Sequence, residues 1–310
     1  MNEGHKSFLK ETVKKIIPGS KREAAKKIYY TCKKSASFKL QRSLRFVGDT
    51  LDLWTGKRDR LTPPQWMIYV GAGDFKAIGE EFFHYFIKFG RLQPGDKILE
   101  VGCGIGRMAI PLTGYLENGG SYEGFDIIPM GIEWCKKNIT PKYPNFHFQQ
   151  ADIYNNAYNP FGTIAPTEFR FPFPDESFDF VYLTSVFTHM LSPSMENYFH
   201  EIQRVLKEGG HCLITFFLLT EEALKSIESK TSAIDFQYYR DGCWIKDKDI
   251  PEAAVAYKEE YVKGLFKTNH LDILEPVHYG SWCGRKEFLS FQDIIVARKN
   301  GLIAGSGIGG

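Results

Sequence analysis

The chain reads as an open α/β fold, a largely parallel sheet with helices on both faces, and three observations predict it. First, the stretch 97–107 is an apolar run, then the acidic Glu100, then Gly102, Gly104 and Gly106 at alternate positions, and a helical pattern follows from Met108 to Leu116. Such a sequence is a strand, a tight turn and a helix whose N-terminal N–H groups face the space above the strand end. Second, two further short strands, 121–127 and 146–152, carry the carboxylates Asp126 and Asp152 at their carboxyl ends. A helical pattern, Pro129–Ile139, separates them. Third, 310 residues that are 43% apolar and 15% aromatic suffice for one large domain with a substantial core.

Taken in order, residues 1–60 are a basic helical extension with 16 Lys/Arg against 6 Asp/Glu. That balance of +10 sits on a chain of net charge +2, so the remainder carries −8. Apolar residues recur at helical spacing (Phe8, Leu9, Val13, Ile16, Ile17), with a break at Pro18-Gly19. Two uses remain open for this stretch: packing on the domain with lysines solvated, or contact with an anionic membrane surface. Residues 61–300 form the main domain. It begins with a stiff Pro63-Pro64 turn and a helix Phe75–Phe89; Trp66, Met67 and Tyr69 either line the site or pack in the core.

The strands after the third are 178–186, Cys212–Leu219, Leu271–His278 and Phe291–Ala297, with a helix Ala253–Thr268 before the sixth. Two connections, 153–177 and 220–251, exceed the usual lengths, and long loops at a ligand edge commonly carry specificity. Residues 301–310 are a flexible glycine-rich tail. No apolar run approaches the ~20 residues a bilayer requires. The N-terminus lacks a secretory h-region, and six cysteines show no metal spacing. A cytoplasmic protein with reduced thiols and no bound metal is expected, with peripheral membrane contact through residues 1–60 as the open alternative.

The glycines read G-x-G-x-G, and Arg107 stands where a dinucleotide fingerprint would place its third glycine. Glu100 just before them would repel phosphate at close range and favours a ligand with a cationic end. S-adenosyl-L-methionine, which carries a sulfonium and an ammonium but no phosphate, fits this pattern better than a nicotinamide dinucleotide. Asp126, about 20 residues on, is placed for two ribose hydroxyls, the alternative being a cap for the following helix. Asp152 suits an adenine amine, with Ile153 against the ring.

In these blocks the chain resembles the class I S-adenosylmethionine-dependent methyltransferases with a methyltransferase-11/25-like domain. The matching stretches are ILEVGCGIGR (98–107), YEGFDI (122–127), QADIY (150–154), FDFVYLTSVFTHM (178–190) and EIQRVLKEGGHCLITFF (201–217). The resemblance implies a Rossmann-like seven-stranded sheet of order 3-2-1-4-5-7-6 with the last strand antiparallel. It implies S-adenosylmethionine contacts at Glu100, Gly102, Cys103, Gly104, Gly106, Asp126, Ile127, Asp152, Ile153 and Thr184, and S-adenosyl-L-homocysteine as product. Arg107 takes the methionine carboxylate by the same resemblance; a salt bridge to a helix carboxylate is the alternative.

Methyl transfer from a sulfonium needs mainly positioning and desolvation, with a base where the acceptor is a hydroxyl. His189, after strand four, is the candidate base; the alternative is a histidine that fixes its loop or caps the next helix. Tyr279, Trp282 and Arg285 are candidates for the acceptor side, against ordinary packing, and His278 is a weaker one. The chain lacks the Asn/Asp-Pro-Pro-aromatic string of amino-methylating nucleic-acid enzymes after strand four, and the cysteine used there for base-carbon methylation. An oxygen on a small molecule, sugar or lipid-linked intermediate is therefore the expected acceptor. Nucleic acid is the disfavoured partner. An RNA-associated enzyme using residues 1–60, or a non-catalytic cofactor-binding scaffold, is the competing reading.

Overall fold

The computed structural model describes residues 58–69, 71 and 73–300. The expected helices of residues 1–57 and the glycine-rich tail 301–310 lie outside the described residues. Two compact units are present, one ending at Tyr69 and the other comprising the rest. Within the first, Asp59 Oδ1 accepts from the backbone N–H of Leu61 and Thr62, and Gln65–Met67 make one 3-10 turn behind Pro63-Pro64.

The second unit opens with helix α1 (Phe75–Lys88), whose cap Asp74 accepts from Ala77 N at 2.7 Å. Then follow β1 (Lys97–Val101), α2 (Ala109–Leu112), β2 (Ser121–Asp126), α3 (Pro129–Asn138) and β3 (Phe146–Gln150). After them come β4 (Phe178–Leu183), α4 (Ser192–Val205), β5 (Leu206–Phe216), β6 (Leu218–Leu219) and α5 (Glu221–Glu228). The chain closes with β7 (Tyr238–Arg240), β8 (Cys243–Ile245), β9 (Val255–Lys258), α6 (Glu259–Thr268), β10 (Leu271–Ile273) and β11 (Asp293–Lys299).

The main sheet has seven strands in the order β10-β11-β5-β4-β1-β2-β3. Counting only its own strands, this is the expected 3-2-1-4-5-7-6. Strands β1 to β5 pair in parallel, and β11 runs antiparallel to both β5 and β10. The central strands are buried on both faces (Ile98, Leu99, Val181, Leu183, Ile214), as a sheet covered by helices requires. One continuous core joins them to Phe187, Tyr198, Phe199 and Phe266.

Three local expectations are corrected. The helix after the glycine turn is four residues long, Ala109–Leu112, and dissolves into turns at Thr113-Gly114 rather than running from Met108 to Leu116. Pro111 within that segment removes a donor, and Gly114 weakens continuation. The helix expected over 253–268 begins only at Glu259, and Val255–Lys258 is a strand. Its Val-Ala-Tyr run is buried on both sides by pairing with β6 and β8, so tertiary pairing overrides the helical preference of alanine. The apolar run Cys212–Leu219, read as one strand, is divided between two sheets. A second, four-stranded sheet of order β6-β9-β8-β7 occupies the long segment after β5. Its core is Phe217, Leu219, Phe236, Ala256, Trp282 and Cys283.

Candidate active site

The turn after β1 is built from backbone geometry. Gly102 (φ 78°), Gly104 (φ 54°) and Gly106 (φ 78°) all lie in the left-handed region that other residues rarely adopt. A Cβ on Gly102 would come within 2.4 Å of Val186 Cγ2, and one on Gly106 within 3.0 Å of Cys135 Sγ and Ile139 Cδ1. The first glycine thus lets the exit of β4 close on the turn, and the third lets α3 pack against it. The loop is pinned to β2, with Gly102 N and Cys103 N both donating to Phe125 O. Cys103 itself is buried, and burial raises its thiol pKa well above the usual range.

Beneath and beside this turn lie two buried carboxylates. Glu100 is almost wholly enclosed and accepts hydrogen bonds from Tyr122 and, at 2.9 Å, from Tyr182 on the same oxygen. Burial pushes its pKa up to about 8, and the neighbouring Asp126 charge pushes the same way. Asp126, at the end of β2, accepts from Gly104 N at 2.7 Å through one oxygen and from Ile128 N at 2.8 Å through the other. Its pKa is also raised by burial, against the pull of these N–H donors. Helix α3 is capped by Ile128 without a side-chain bond, so Asp126 braces the turn before the helix rather than capping it directly.

Asp152 is exposed at the end of β3, where its Oδ2 accepts from Thr163 Oγ1 at 2.5 Å. Ile153 is buried in the core and bridges Ile164, while Ile127 packs partly buried against the same core. Arg107 lies with its guanidinium over the Phe75 ring at 5.4 Å, and burial lowers its pKa. Of the loop aromatics between β3 and β4, Phe169 and Phe171 are buried in the core, whereas Tyr154, Tyr158 and Phe161 are exposed.

The exit of β4 carries Thr184, half-buried, and Ser185, an exposed residue in the left-handed region (φ 61°). His189 follows on a 3-10 turn. Its Nδ1 lies 2.9 Å from the carbonyl of Glu252, so that nitrogen carries the proton and Nε2 keeps its lone pair. Nε2 is 3.5 Å from Tyr158 Oη, and the two rings meet edge to face at 5.1 Å. Burial lowers the His189 pKa. Helix α4 begins without a side-chain cap, so His189 does not cap it; the ring instead ties the β4 exit to the inserted sheet. Tyr257 of that sheet reinforces the tie by donating to Met190 O and Phe187 O.

The three acceptor-side candidates occupy different surroundings. Trp282 is fully buried and donates to Asp293 at 2.7 Å, which is the packing alternative. Arg285 pairs with Glu222 (2.6 Å) and Asp293 (3.3 Å) and stacks on Tyr279 at 4.7 Å. Tyr279 donates to Glu259 at 2.6 Å. His278 packs against Phe89, and burial together with the Lys88 charge lowers its pKa. Sequence reasoning assigned no role to Glu252, Thr215 or Gln292. Their contacts with His189 and Ser185 cross 30 to 107 residues of chain, and no local pattern announces such pairs.

A methyltransferase-domain family model matches residues 92–270, more than half of the chain. The chain belongs to that family. It is a class I S-adenosylmethionine-dependent methyltransferase domain, with S-adenosyl-L-methionine as methyl donor. Among curated relatives, sterol 24-C-methyltransferase ERG6B of Gibberella zeae is 32% identical over 141 residues, 44% of this chain and 32% of that protein. The phthiotriol/phenolphthiotriol dimycocerosates methyltransferase of Mycobacterium leprae is 34% identical over 117 residues, covering 38% of this chain and 36% of the relative. The matched stretch thus spans about a third of these relatives' length. In fold, the methyltransferase is similar to the PH0226 protein of Pyrococcus horikoshii, with TM-score 0.52 and 15% identity over 76% of this chain and 95% of that one.

The residues at the turn fit such a donor. The Asp126 carboxylate beside the loop would oppose a pyrophosphate, whereas S-adenosyl-L-methionine brings a sulfonium and an ammonium against a single carboxylate. Among the described residues, no group of three or more His, Cys, Asp or Glu could hold a metal, and no helix is long and apolar enough to cross a membrane.

Proposed function

We propose that the protein methylates an oxygen of a small, apolar or lipid-linked acceptor, with His189 as general base. The observation that carries this reading is the imidazole at the β4 exit: Nδ1 is committed to the Glu252 carbonyl, Nε2 is left as the acceptor, and burial lowers the ring's pKa. Bound S-adenosylmethionine supplies an already activated methyl group. Asp126 receives the ribose hydroxyls, Asp152 the adenine amine, and Arg107 the methionine carboxylate; Gly102, Gly104 and Gly106 let the backbone approach. Glu100, enclosed by two tyrosines, holds the turn from beneath. His189 takes the acceptor proton at Nε2, and Tyr158, whose hydroxyl faces that nitrogen, orients the proton's path. The curated relatives named for a sterol and for phthiotriol dimycocerosates support an apolar or lipid-linked acceptor.

Labelled S-adenosylmethionine and a metabolite extract test the reading. The labelled product is a methyl ether or ester; a product labelled on carbon or nitrogen overturns the oxygen assignment. Replacing His189 by Ala lowers kcat by about 10²- to 10⁴-fold while S-adenosyl-L-homocysteine affinity holds. Because the His189 pKa is lowered, wild-type activity falls only as pH drops below the ordinary imidazole value. An acid limb that persists in His189→Ala assigns the titration to another group.

A further inference from the structure

At the edge of the molecule where β11 begins lies a cavity of about 730 Å³, walled by Val277, His278 and Tyr279 on one side and Arg285, Phe288 and Leu289 on the other. That volume falls in the range of roughly 300–1,000 Å³ typical of sites for small organic ligands. Two polar groups of its wall are already committed, while Lys286 and Glu287 are exposed at it. Arg285 is engaged by Glu222, Thr220, Gly280 and Asp293, and the Tyr279 hydroxyl by Glu259. The cavity is amphipathic: beside the charged Lys286 and Glu287 it offers carbon surface from Val277, Leu289, the Tyr279 ring and Phe288, which is 57% exposed. An exposed phenyl group beside a concave surface suits an apolar ligand better than it suits water.

A polar station sits at the same end of β11. His278, in the cavity wall, exchanges both backbone hydrogen bonds with Ile294 (3.0 and 2.8 Å), and Gln292 lies two residues earlier on that strand's approach. The Gln292 amide links two strand ends. Ser185 N donates to Thr215 Oγ1 (2.7 Å), Thr215 Oγ1 donates to Gln292 Oε1 (2.6 Å), and Gln292 Nε2 donates to Ser185 Oγ (2.9 Å). This circuit runs in one direction. It leaves the Ser185 hydroxyl proton and the second Gln292 N–H as donors. Thr188 Oγ1, 3.2 Å from Ser185 Oγ, is the other neighbour within reach of that hydroxyl. Ser185 pays for its place with a left-handed backbone, a conformation that non-glycine residues hold mainly where surrounding structure and function demand it.

Resting on the proposed function, we infer that the acceptor is an amphipathic molecule whose carbon chain or ring body fills this cavity and whose oxygen-bearing end is received by Ser185 and Gln292. The donors are neutral, so a hydroxyl, carbonyl or carboxyl oxygen is the matching chemistry.

Dodecanoic acid is the probe, titrated calorimetrically into the full chain saturated with S-adenosyl-L-homocysteine. Dodecanoic acid binds, and Leu289→Trp, which fills the cavity, and Phe288→Ser, which removes an exposed apolar wall, each weaken it at least tenfold. Gln292→Leu weakens it several-fold, and all three variants keep their affinity for S-adenosyl-L-homocysteine, which certifies their fold. Binding of the homocysteine product without any binding of dodecanoic acid overturns the inference and leaves the proposed function standing. Dodecanoic acid affinity unchanged from wild type in both cavity variants overturns it as well. Failure of the wild-type chain to bind S-adenosyl-L-homocysteine overturns both.

Discussion

The two halves of the sheet are organised on different physical terms. On the β1–β3 side, the site is made of backbone: positive-φ glycines, N–H groups aimed at Asp126, and carboxylates buried by neighbouring strands. On the β5–β11 side, it is made of side chains that meet across long stretches of chain, such as Ser185 with Gln292, His189 with Glu252, and Asp293 with Trp282 and Arg285. A backbone-built site follows from a short string of residue types. A side-chain-built site exists only once distant segments have packed, and it can therefore vary with the acceptor while the donor side stays constant.

The comparison can be broken hardest on the acceptor side. Asp293 is fully buried and serves Leu218 N, Gly280 N, Trp282 Nε1 and Arg285 at once, joining the inserted sheet to the main one. Asp293→Ala strands these donors and costs about 3–5 kcal/mol, read by denaturant unfolding. A loss below about 1 kcal/mol would mean that the two sheets do not depend on this carboxylate. On the donor side, Gly102→Ala meets both a φ of 78° and the Val186 methyl. The cost is about 2–4 kcal/mol in stability, with S-adenosyl-L-homocysteine affinity reduced as the turn shifts.

The smallest effect sharpens the electrostatics of the donor side. Glu100 titrates near 8 in the fold against an unperturbed 4.5. The folded state therefore binds the proton more tightly, and stability is lost as pH rises between these values. From about pH 5 to pH 7 this group removes about 2–3 kcal/mol, and Glu100→Gln, which keeps an oxygen for the two tyrosines, abolishes that slope. Parallel pH–stability curves for the two proteins would place the titration elsewhere.

Legibility followed the same division. Lys97–Val101 with its glycines, and Asp126 closing β2, could be located from residue type and spacing because their interactions are local or obey the periodicity of a strand. Residues 220–258 read as a connection plus a helix, yet they hold strands β7, β8 and β9. Strands of two to four residues leave too little alternation to detect, and Val255–Lys258 becomes a strand only through its partners Leu218–Leu219 and Trp244–Ile245. Trp282 illustrates the remaining gap: a tryptophan in a turn reads equally as a ligand face or a core filler, and only its burial beside Phe217 and Phe236 decides.

From residue order alone came the parallel sheet, the glycine turn, the acids at the strand ends and, through them, the class of methyl donor. These depend on φ preferences, strand period and charge, which are properties of a few adjacent residues. The division of Cys212–Leu219 between two sheets, the proton placement on His189 and the Ser185–Thr215–Gln292 circuit came from tertiary structure. Each depends on burial and on partners brought together by packing, and none is encoded at any single position.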